Sequence, residues 1–442
     1  MTDNNILEEA FGIGGKKSDT EDLLPKGWKK TTIKFALKDM VAGGTPQTSR
    51  EEFWAEKGDG TPWVKISDIT GVDGVEDTSE EVTKKGIEKA NLKVHPPGTL
   101  LFSMYASLGA TGTLNISATT NQAILALYPD ERICSTEYLQ YYLEAIRPFL
   151  PALSMSNTQD NLSAEKFGNL PILLPPKGVQ QNICDQLSPK LSESSGTRKK
   201  LSQVAENLRS RVDVVIRSAV TGSGKKPSHV GWIGEIPEDW DVVRTRFVAE
   251  LHSGHTPSRS NDEYWEDTDI PWVTTSDIKL FREGRKRYLH ETENEISELG
   301  MENSGAHLLP EGTVFLSRTA SVGFSGIMGK PMATSQDFAN WVCSDEILPE
   351  YLLYVFRSMD QEFDRLMQGS THKTIYMPDI KSFKTPLPPL EEQREIVDHI
   401  ETETERLWEL IDRVEETIDL LEEKRQALIT AAVTGQIDVS EA

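Results

Sequence analysis

Cysteine is scarce in this sequence, and long hydrophobic runs are absent from it. Three cysteines, Cys134, Cys184 and Cys343, lie far apart among 442 residues. This spacing indicates reduced thiols in a cytoplasmic protein and not a disulfide framework. No run approaches the roughly 18 apolar residues of a membrane-spanning helix. The acidic, polar residues 1–24 lack the apolar centre of a secretory signal, so we expect a mobile leader there.

Catalytic and metal-binding motifs are also lacking. No Asn/Asp-Pro-Pro-aromatic motif for adenine methylation occurs, and the nearest match, at residues 387–390, is Leu-Pro-Pro-Leu. No GxGxxG follows a predicted strand, so a methyl donor or dinucleotide has no cradle. No CxxC or HxxxH spacing suggests a metal site. Residues 422–424 formally match a nuclease ExK pattern but lie on the face of a periodic helix. We therefore expect no catalytic residue, metal or cofactor in this chain.

Positive charge is deficient overall and unevenly placed. The formal net charge of −23 argues against simple nucleic-acid binding. Residues 391–425 contain fourteen acidic and five basic side chains, a net charge of −9. Residues 176–220 contain eight basic and four acidic side chains, a net charge of +4. Opposite charge favours pairing between these two segments, although a solvated charged face is the alternative.

A seven-residue apolar repeat dominates residues 391–435. Its positions are Ile400, Leu407, Val414, Leu421 and Leu428, and Ile396, Leu410, Ile411 and Ile418 widen the stripe. Such a repeat predicts a long helix that packs against another helix, ending at Gly435.

A second copy of this helix begins 213 residues upstream. Its frame is Leu187, Leu201, Leu208 and Val215, with Ser194 as an exception. We expect Pro189 and Gly196 to kink or break this copy.

The duplication extends over almost the whole chain. The matched segments, in order, are 24–28 with 236–240, 43–46 with 254–257, 62–69 with 271–278, 97–109 with 311–323, 175–176 with 388–389, and 218–222 with 431–435. This period is far longer than that of solenoid repeats, so each copy is a whole domain plus a helix. Apolar runs after Pro/Gly turns at 99–102 and 313–316 predict buried strands, as does the run at 123–128. Short helices are expected at 135–149 and 348–367.

Two different globular domains each begin with Leu/Ile-Pro-x-x-Trp and leave through Pro-Pro into a long helix ending in Ala-Val-Thr-Gly. This arrangement resembles the specificity subunit of type I restriction-modification enzymes. The resemblance covers residues 24–435. It implies an α+β chain with two tandem target recognition domains of mixed or antiparallel β-structure, separated by two long helices that form an antiparallel coiled coil. It also implies that each domain reads one half of a bipartite target in double-stranded DNA.

The same resemblance implies the partners. Two modification subunits would bind against the helices and supply S-adenosylmethionine-dependent adenine methylation, and restriction subunits would join if present. The expected domains are a flexible leader at 1–23, target recognition domain 1 at 24–175, the first spacer helix at 176–222, a linker at 223–235, target recognition domain 2 at 236–389, the second spacer helix at 390–435 and a tail at 436–442.

Base reading requires side chains with directed donors and acceptors. The variable polar loops supply them, and the strongest basic patch contains Arg285, Lys286 and Arg287 beside Tyr288. Serines and threonines shared by both copies either contact phosphate or cap turns. The full set of DNA-binding candidates is Gln47, Ser49, Arg50, Ser103, Tyr105, Ser107, Thr158, Arg259, Arg285, Lys286, Arg287, Ser317, Arg318, Ser321, Thr371 and Lys373. Trp63 and Trp272 are expected in the core.

Two other classes of function stay open at this point. One is a coiled-coil scaffold that binds proteins only. The other is a self-sufficient DNA-modifying enzyme, against which the missing motifs count. Salt-sensitive binding to duplex DNA by an assembled complex would exclude the first, and cofactor binding by the isolated chain would support the second.

Overall fold

A computed structural model describes Leu7 and residues 24–70, 74–154, 162–367 and 374–437. The chain forms two compact units. The first consists of Met1–Lys200 and Thr417–Ala442, and the second of Leu201–Glu416. Each unit therefore contains one globular domain and a part of both long helices.

The first unit is built on a five-stranded sheet of order β2-β10-β7-β8-β5 and a four-stranded sheet of order β3-β6-β4-β9, with β1 paired to β11. The strands are β1 Lys29–Thr32, β2 Leu37–Ala42, β3 Trp54–Ala55, β4 Thr61–Val64, β5 Gly74–Val75, β6 Glu80–Val82, β7 Leu100–Ser103, β8 Thr111–Leu114, β9 Thr119–Thr120, β10 Ile124–Pro129 and β11 Pro171–Leu174. Most pairs are antiparallel, whereas β5–β8 and β4–β9 are parallel.

The second unit repeats this topology. Its five-stranded sheet has the order β15-β22-β19-β20-β17, beside a three-stranded sheet β18-β16-β21 and the pairs β14–β23 and β12–β13. The strands are β12 Lys226–Pro227, β13 Glu235–Ile236, β14 Asp241–Arg244, β15 Ala249–Ser253, β16 Ile270–Val273, β17 Tyr288–Leu289, β18 Glu295–Ile296, β19 Val314–Ser317, β20 Ser325–Met328, β21 Ala333–Thr334, β22 Phe338–Cys343 and β23 Lys384–Leu387. The mixed sheets and the helices confirm the predicted α+β class.

Between residues 24 and 437, the described part of the chain contains twelve α-helices and five short 3₁₀ helices. The α-helices are α1 Ile33–Ala36, α2 Ile66–Ile69, α3 Lys84–Lys89, α4 Thr136–Ile146, α5 Leu150–Ser154, α6 Ala164–Gly168, α7 Lys177–Thr221, α8 Glu298–Glu302, α9 Pro349–Arg357, α10 Asp360–Met367, α11 Met377–Ile380 and α12 Leu390–Val433. Within the same residues, no helix is both long and apolar enough to cross a membrane.

Each five-stranded sheet lies between two apolar clusters. In β7, Leu100 and Phe102 point to one cluster, and Leu101 points to the other. The same alternation separates Phe315 in β19 from Val314 and Leu316. Because successive side chains of a strand point to opposite faces, a strand covered on both faces is apolar throughout. This explains the continuous apolar runs seen in the sequence.

The long helices α7 and α12 run antiparallel to each other within each unit. In the first unit Arg198 of α7 pairs with Glu422 of α12 at 2.5 Å. In the second unit Arg209 pairs with Glu415. The more basic α7 thus pairs with the acidic α12, as the charge pattern predicted.

Pro189 and Gly196 were expected to kink or break α7, and the expectation of a break is wrong. The helix is continuous from Lys177 to Thr221 with Pro189 inside it. Proline in a helix interior costs about 3 kcal/mol through a lost hydrogen bond and a steric clash. Burial of neighbouring Leu187 and Leu191 in the first unit's core offsets that cost.

The predicted apolar frame is one of two rows that form the helix seam. Leu187 and Ile400 are buried in it, and Leu201, Leu208, Val215, Leu407, Val414, Leu421 and Leu428 are half-buried. The second row, three or four residues away, contains buried Ala205, Val212, Ile411 and Ala432. Leu410, expected to widen the stripe, is instead exposed.

Both long helices stop at a glycine with positive φ. Gly222 has φ 67° after α7, and Gly435 has φ 75° after α12. This left-handed conformation strains other residues, so glycine is the usual residue that follows a helix.

The segment expected as a linker, 223–235, is ordered. Its strand β12 pairs with β13, and Trp232 and Ile233 are buried in the second unit's core. The predicted leader lies outside the described residues apart from Leu7, which is buried in the first unit's core. The predicted tail is described only at Gln436 and Ile437.

Candidate nucleic-acid interface

Each unit displays an exposed polar loop on the same backbone turn. In the first unit the N–H of Arg50 donates to the carbonyl of Gln47 at 3.1 Å. In the second unit the N–H of Asn261 donates to the carbonyl of Ser258 at 3.4 Å. A short 3₁₀ turn follows each loop. The two loops occupy matching places in the two domains.

A buried tryptophan supports the segment that leads into each loop. The indole N–H of Trp63 donates to the carbonyl of Gly44 at 3.0 Å, and that of Trp272 donates to the carbonyl of His255 at 3.2 Å. The two rings are 5% and 2% exposed, which confirms that they belong to the core. The indole hydrogen bond gives each buried ring its polar partner and joins the ring to the segment that leads into the loop.

A short helix packs beside each loop, α3 in the first unit and α8 in the second. The hydroxyl of Thr83 caps α3 by accepting from the N–H of Gly86, and the hydroxyl of Ser297 caps α8 by accepting from the N–H of Gly300. A Cβ on Gly86 would lie 2.5 Å from the carbonyl oxygen of Phe53, so only glycine allows this close approach. We call each pair of loop and helix a loop–helix module: 47–53 with α3, and 258–264 with α8.

The exposed side chains of the two modules differ, although their frameworks match. In the first module they include Gln47, Ser49, Arg50, Lys85 and Lys89 beside the acidic Glu51, Glu52 and Glu88. In the second they include Ser258, Arg259, Ser260, Leu299 and Asn303 beside the acidic Asp262, Glu263, Glu298 and Glu302. Helix α3 carries Lys84, Lys85 and Lys89, whereas α8 carries glutamates at 298 and 302. One scaffold thus presents two chemical surfaces.

Charge is organised around Glu52 in the first module. Lys85 Nζ lies 2.5 Å from one carboxylate oxygen, and Arg50 lies 3.4 Å from the other. The hydrogen bond from Lys85 lowers the pKa of the Glu52 carboxyl. The arginine and the lysine are therefore held side by side at the edge of a shallow depression that Gln47 and Lys89 also line.

Lys85 and Lys89 were absent from the predicted set. The alignment of the two sequence copies contained a signal for them, because it pairs a lysine-rich helix of the first copy with an acidic helix of the second. Only the fold shows that this helix packs against the predicted loop.

Two arginines of the basic patch at 285–287 contact the long helix α12. The guanidinium of Arg285 donates to Asp412 of α12 at 3.1 Å and lies 4.7 Å from the ring centroid of Trp408. Arg287 pairs with Glu401 of the same helix. The strongly acidic α12 attracts these two arginines, so both are ion-paired, and their contact with DNA stays a prediction. The side chain of Lys286 is exposed.

Ser103 and Ser317 are fully buried. The hydroxyl of Ser103 donates to the carbonyl of Tyr105 at 2.8 Å, and the hydroxyl of Ser317 donates to the carbonyl of Thr319 at 3.2 Å. Of the two interpretations from the sequence, phosphate contact or turn stabilisation, the geometry favours the turn.

The other predicted residues have mixed placements. Tyr105, Ser107 and Ser321 are half-buried. The guanidinium of Arg318 donates to the carbonyl of Gln336 at 2.9 Å and so ties two loops together. Three candidates lie outside the described residues: Thr158, Thr371 and Lys373.

Two buried glutamines that the sequence analysis missed fix the long helices to their domains. The amide of Gln180 donates to the carbonyls of Ile133 and Pro175 and accepts from the N–H of Ser135. The amide of Gln393 makes the same three bonds, with Glu346, Pro388 and Leu348. The signal was Pro-Pro-x-x-x-Gln, which occurs in both copies.

Across the ranges that the structure describes, no three His, Cys, Asp or Glu side chains lie close enough to hold a metal ion. Glu422 of the ExK-like stretch pairs with Arg198 on the helix surface.

The duplicated modules and paired helices match a known family. The model of the type I restriction modification DNA specificity domain matches residues 25–206 and 237–428. The chain belongs to this family. Both of its family domains run from a globular part into a long helix.

The chain is similar in sequence to known specificity subunits. A stretch of 166 residues is 33% identical to the type I restriction enzyme MjaIX specificity subunit of Methanocaldococcus jannaschii, covering 37% of this chain and only 38% of that protein. The MjaVIII specificity subunit of the same organism is 23% identical over 344 residues, 75% of this chain and 76% of that protein.

A solved structure from a study of complex assembly and conformational transition of the type I restriction-modification system has the same fold. Its TM-score is 0.68 at 19% identity, covering 94% of this chain and 99% of that one.

Proposed function

We propose that this chain is the DNA-specificity subunit of a type I restriction-modification complex and reads a bipartite, asymmetric target. The observation that carries the proposal is the pair of loop–helix modules, which share a backbone and differ in exposed side chains. A shared backbone suits two equivalent placements on duplex DNA, and different side chains suit two different half-sites.

The exposed groups have the chemistry of base reading. Arginine and lysine donate to guanine, whereas glutamine and asparagine form paired hydrogen bonds with adenine in the major groove. The first module offers Gln47, Arg50, Lys85 and Lys89, and the second offers exposed Arg259 and half-buried Asn261. These residues supersede the buried serines and the helix-bound arginines as our DNA-reading candidates.

Catalysis belongs to the partners in this proposal. Two modification subunits bind S-adenosylmethionine and methylate adenine, and restriction subunits, where the system has them, cleave. This chain contributes neither a catalytic residue nor a cofactor site. The complex acts on double-stranded DNA in the cytoplasm.

The acidity of the chain fits a subunit that shares its DNA affinity with partners. A net charge of −23 disfavours approach to phosphates, since DNA affinity comes largely from cations that displace counterions. The isolated chain should therefore bind DNA weakly and the assembled complex tightly. A scaffold for proteins only would leave the different surfaces of the two modules without a role.

Domain exchange tests the proposal. Residues 237–389 are replaced by the equivalent domain of another family member, and methylated sites are mapped by sequencing genomic DNA from cells that contain the complex. We expect one half-site to change and the other to persist. Change in both halves, methylation at one continuous short motif, or methylation without this chain would contradict the proposal.

A further inference from the structure

An exposed glutamine occupies the same position in both units, and in each unit it is bonded to a threonine that is also shared. In the first unit the hydroxyl of Thr45 donates to the side-chain oxygen of Gln122. In the second unit the hydroxyl of Thr256 donates to the side-chain oxygen of Gln336. Each glutamine keeps an NH2 group with two N–H donors. Neither NH2 group has an acceptor among the residues that the structure describes.

The same backbone arrangement holds both pairs. The residue before each glutamine closes a turn around it, because its carbonyl accepts the N–H of the second residue after the glutamine. The bonds are Ile124 to Asn121 at 3.2 Å and Phe338 to Ser335 at 3.3 Å. A glycine lies two residues before each threonine, and a Cβ on Gly43 or Gly254 would overlap that same carbonyl oxygen. Only glycine allows this close approach, which places each threonine beside its glutamine.

Each pair adjoins the variable surface of its unit. The loop of each module begins two residues after the threonine, at 47 and at 258. Thr45 lines the same shallow depression as Arg50 and Lys85 of the first module. In the second unit the guanidinium of Arg318 donates to the backbone carbonyl of Gln336 at 2.9 Å. A cation therefore lies close to each pair, but it comes from a different element in each unit.

Presence in both units does not by itself assign a task to these glutamines. The apolar residues Val94 and Leu308, for example, are also exposed at equivalent positions. The glutamines differ from them in two respects. They offer hydrogen-bond donors that a shared partner holds in place, and they lie beside the surfaces that are proposed to read DNA.

We propose that Gln122 and Gln336 each donate to a phosphate of the DNA backbone, one in each half-site, and so position the variable modules over the bases. This inference rests on the proposed function. A residue common to both units cannot distinguish two different half-sites, whereas a phosphate is the same at every base pair.

The orientation of the amide also favours phosphate over a base. Its oxygen already accepts from the threonine, so the exposed part of the side chain donates. Phosphate oxygens are acceptors and match an NH2 group. Adenine, in contrast, pairs with a glutamine that donates and accepts at the same time.

The test uses the assembled complex and duplex DNA that contains its mapped target. Gln122→Glu keeps an oxygen that accepts from Thr45 and replaces the NH2 donor with a negatively charged oxygen. We expect DNA binding to weaken roughly tenfold, since a hydrogen bond to a charged group is lost. The preference for the target over DNA with one changed base should stay the same, because no base contact is lost. Gln336→Glu should have the same two effects.

Neutral methylphosphonate linkages, introduced one at a time, identify the contacted phosphate. At one linkage the unaltered complex should lose affinity, because the acceptor loses its charge. At the same linkage the Gln122→Glu complex should gain affinity, because the repulsion between carboxylate and phosphate is removed. For Gln336→Glu the linkage with this reversal should lie in the other half-site.

Gln181→Glu is the matched control, since it adds the same charge at an exposed glutamine of α7, and it should leave DNA affinity unchanged. A loss of affinity confined to the target sequence would overturn the inference, because the glutamine would then read a base. Unchanged DNA affinity, with or without a lower melting temperature, would also overturn it, because the pair would then only hold the loop. Loss of bound modification subunits would make the position a protein contact and overturn it as well. If the unaltered complex shows no sequence preference, it is the proposed function that fails.

Discussion

One buried glutamine amide in each unit joins the long helix to its globular domain. Gln180 and Gln393 are fully buried, and each satisfies three backbone groups. In each unit one of these groups lies where the chain turns from the exit strand into the long helix, and the other two lie in the segment that leads into the helix of the domain, α4 or α9. The first turn of each helix therefore depends on one side chain.

Replacing either glutamine with alanine should be severe. Three buried polar groups lose their partner and a cavity opens, so we expect Gln180→Ala or Gln393→Ala to cost roughly 2–5 kcal/mol. Urea unfolding of the full chain measures this loss. Gln181→Ala, at the next and exposed position, should change stability by less than about 0.5 kcal/mol. Equal effects at 180 and 181 would show that the amide bonds contribute little.

At the scale of elements, each unit fastens α12 to its globular domain with a different ion pair. In the first unit Arg425 of the helix pairs with Glu144 of α4 at 2.6 Å. In the second unit the direction reverses, because Arg285 of the domain pairs with Asp412 of the helix and stacks on Trp408. Both units thus have an ion pair between α12 and the globular domain, but different residues form it.

The Arg285 pair should make the second unit sensitive to acid. Its hydrogen bond lowers the pKa of the Asp412 carboxyl, so the stabilisation is present above the ordinary aspartate pKa and is lost as pH falls through the lowered value. Arg285→Gln should therefore lower the melting temperature at neutral pH and have a smaller effect in acid. Melting curves of both proteins from pH 7 to pH 3 test this. Lys286→Gln is the control, and a pH-independent difference would rule out this pair as the cause.

The sequence predicted elements better than it predicted contacts between them. The seven-residue repeat located both long helices, because their spacing is regular. In the second row of the seam it identified Ile411 but missed Ala205, which carries little apolar signal. It also gave no sign of the pair between Arg285 and Asp412, since the two residues lie 127 positions apart and no local pattern connects them. The depression beside Arg50 likewise depends on packing between segments that are distant in sequence.

In the whole molecule, the proposed function depends on the length of the paired helices α7 and α12. Ion pairs along the seam occur in both units, Arg198 with Glu422 and Arg209 with Glu415. Between these two pairs both helices are continuous. Inserting one heptad into α7 between 198 and 209, and one into α12 between 415 and 422, preserves the seam because the apolar pattern repeats every seven residues.

This double insertion should lengthen the gap in the DNA target and leave both half-sites unchanged. Seven residues add about 10.5 Å of helix, which corresponds to roughly three base pairs at 3.4 Å each. Mapping methylated sites in genomic DNA would show the longer gap. An insertion in α7 alone removes the match between the two helices and should abolish methylation. If the double insertion kept the original gap, the helices would not act as the ruler between the two DNA-reading domains.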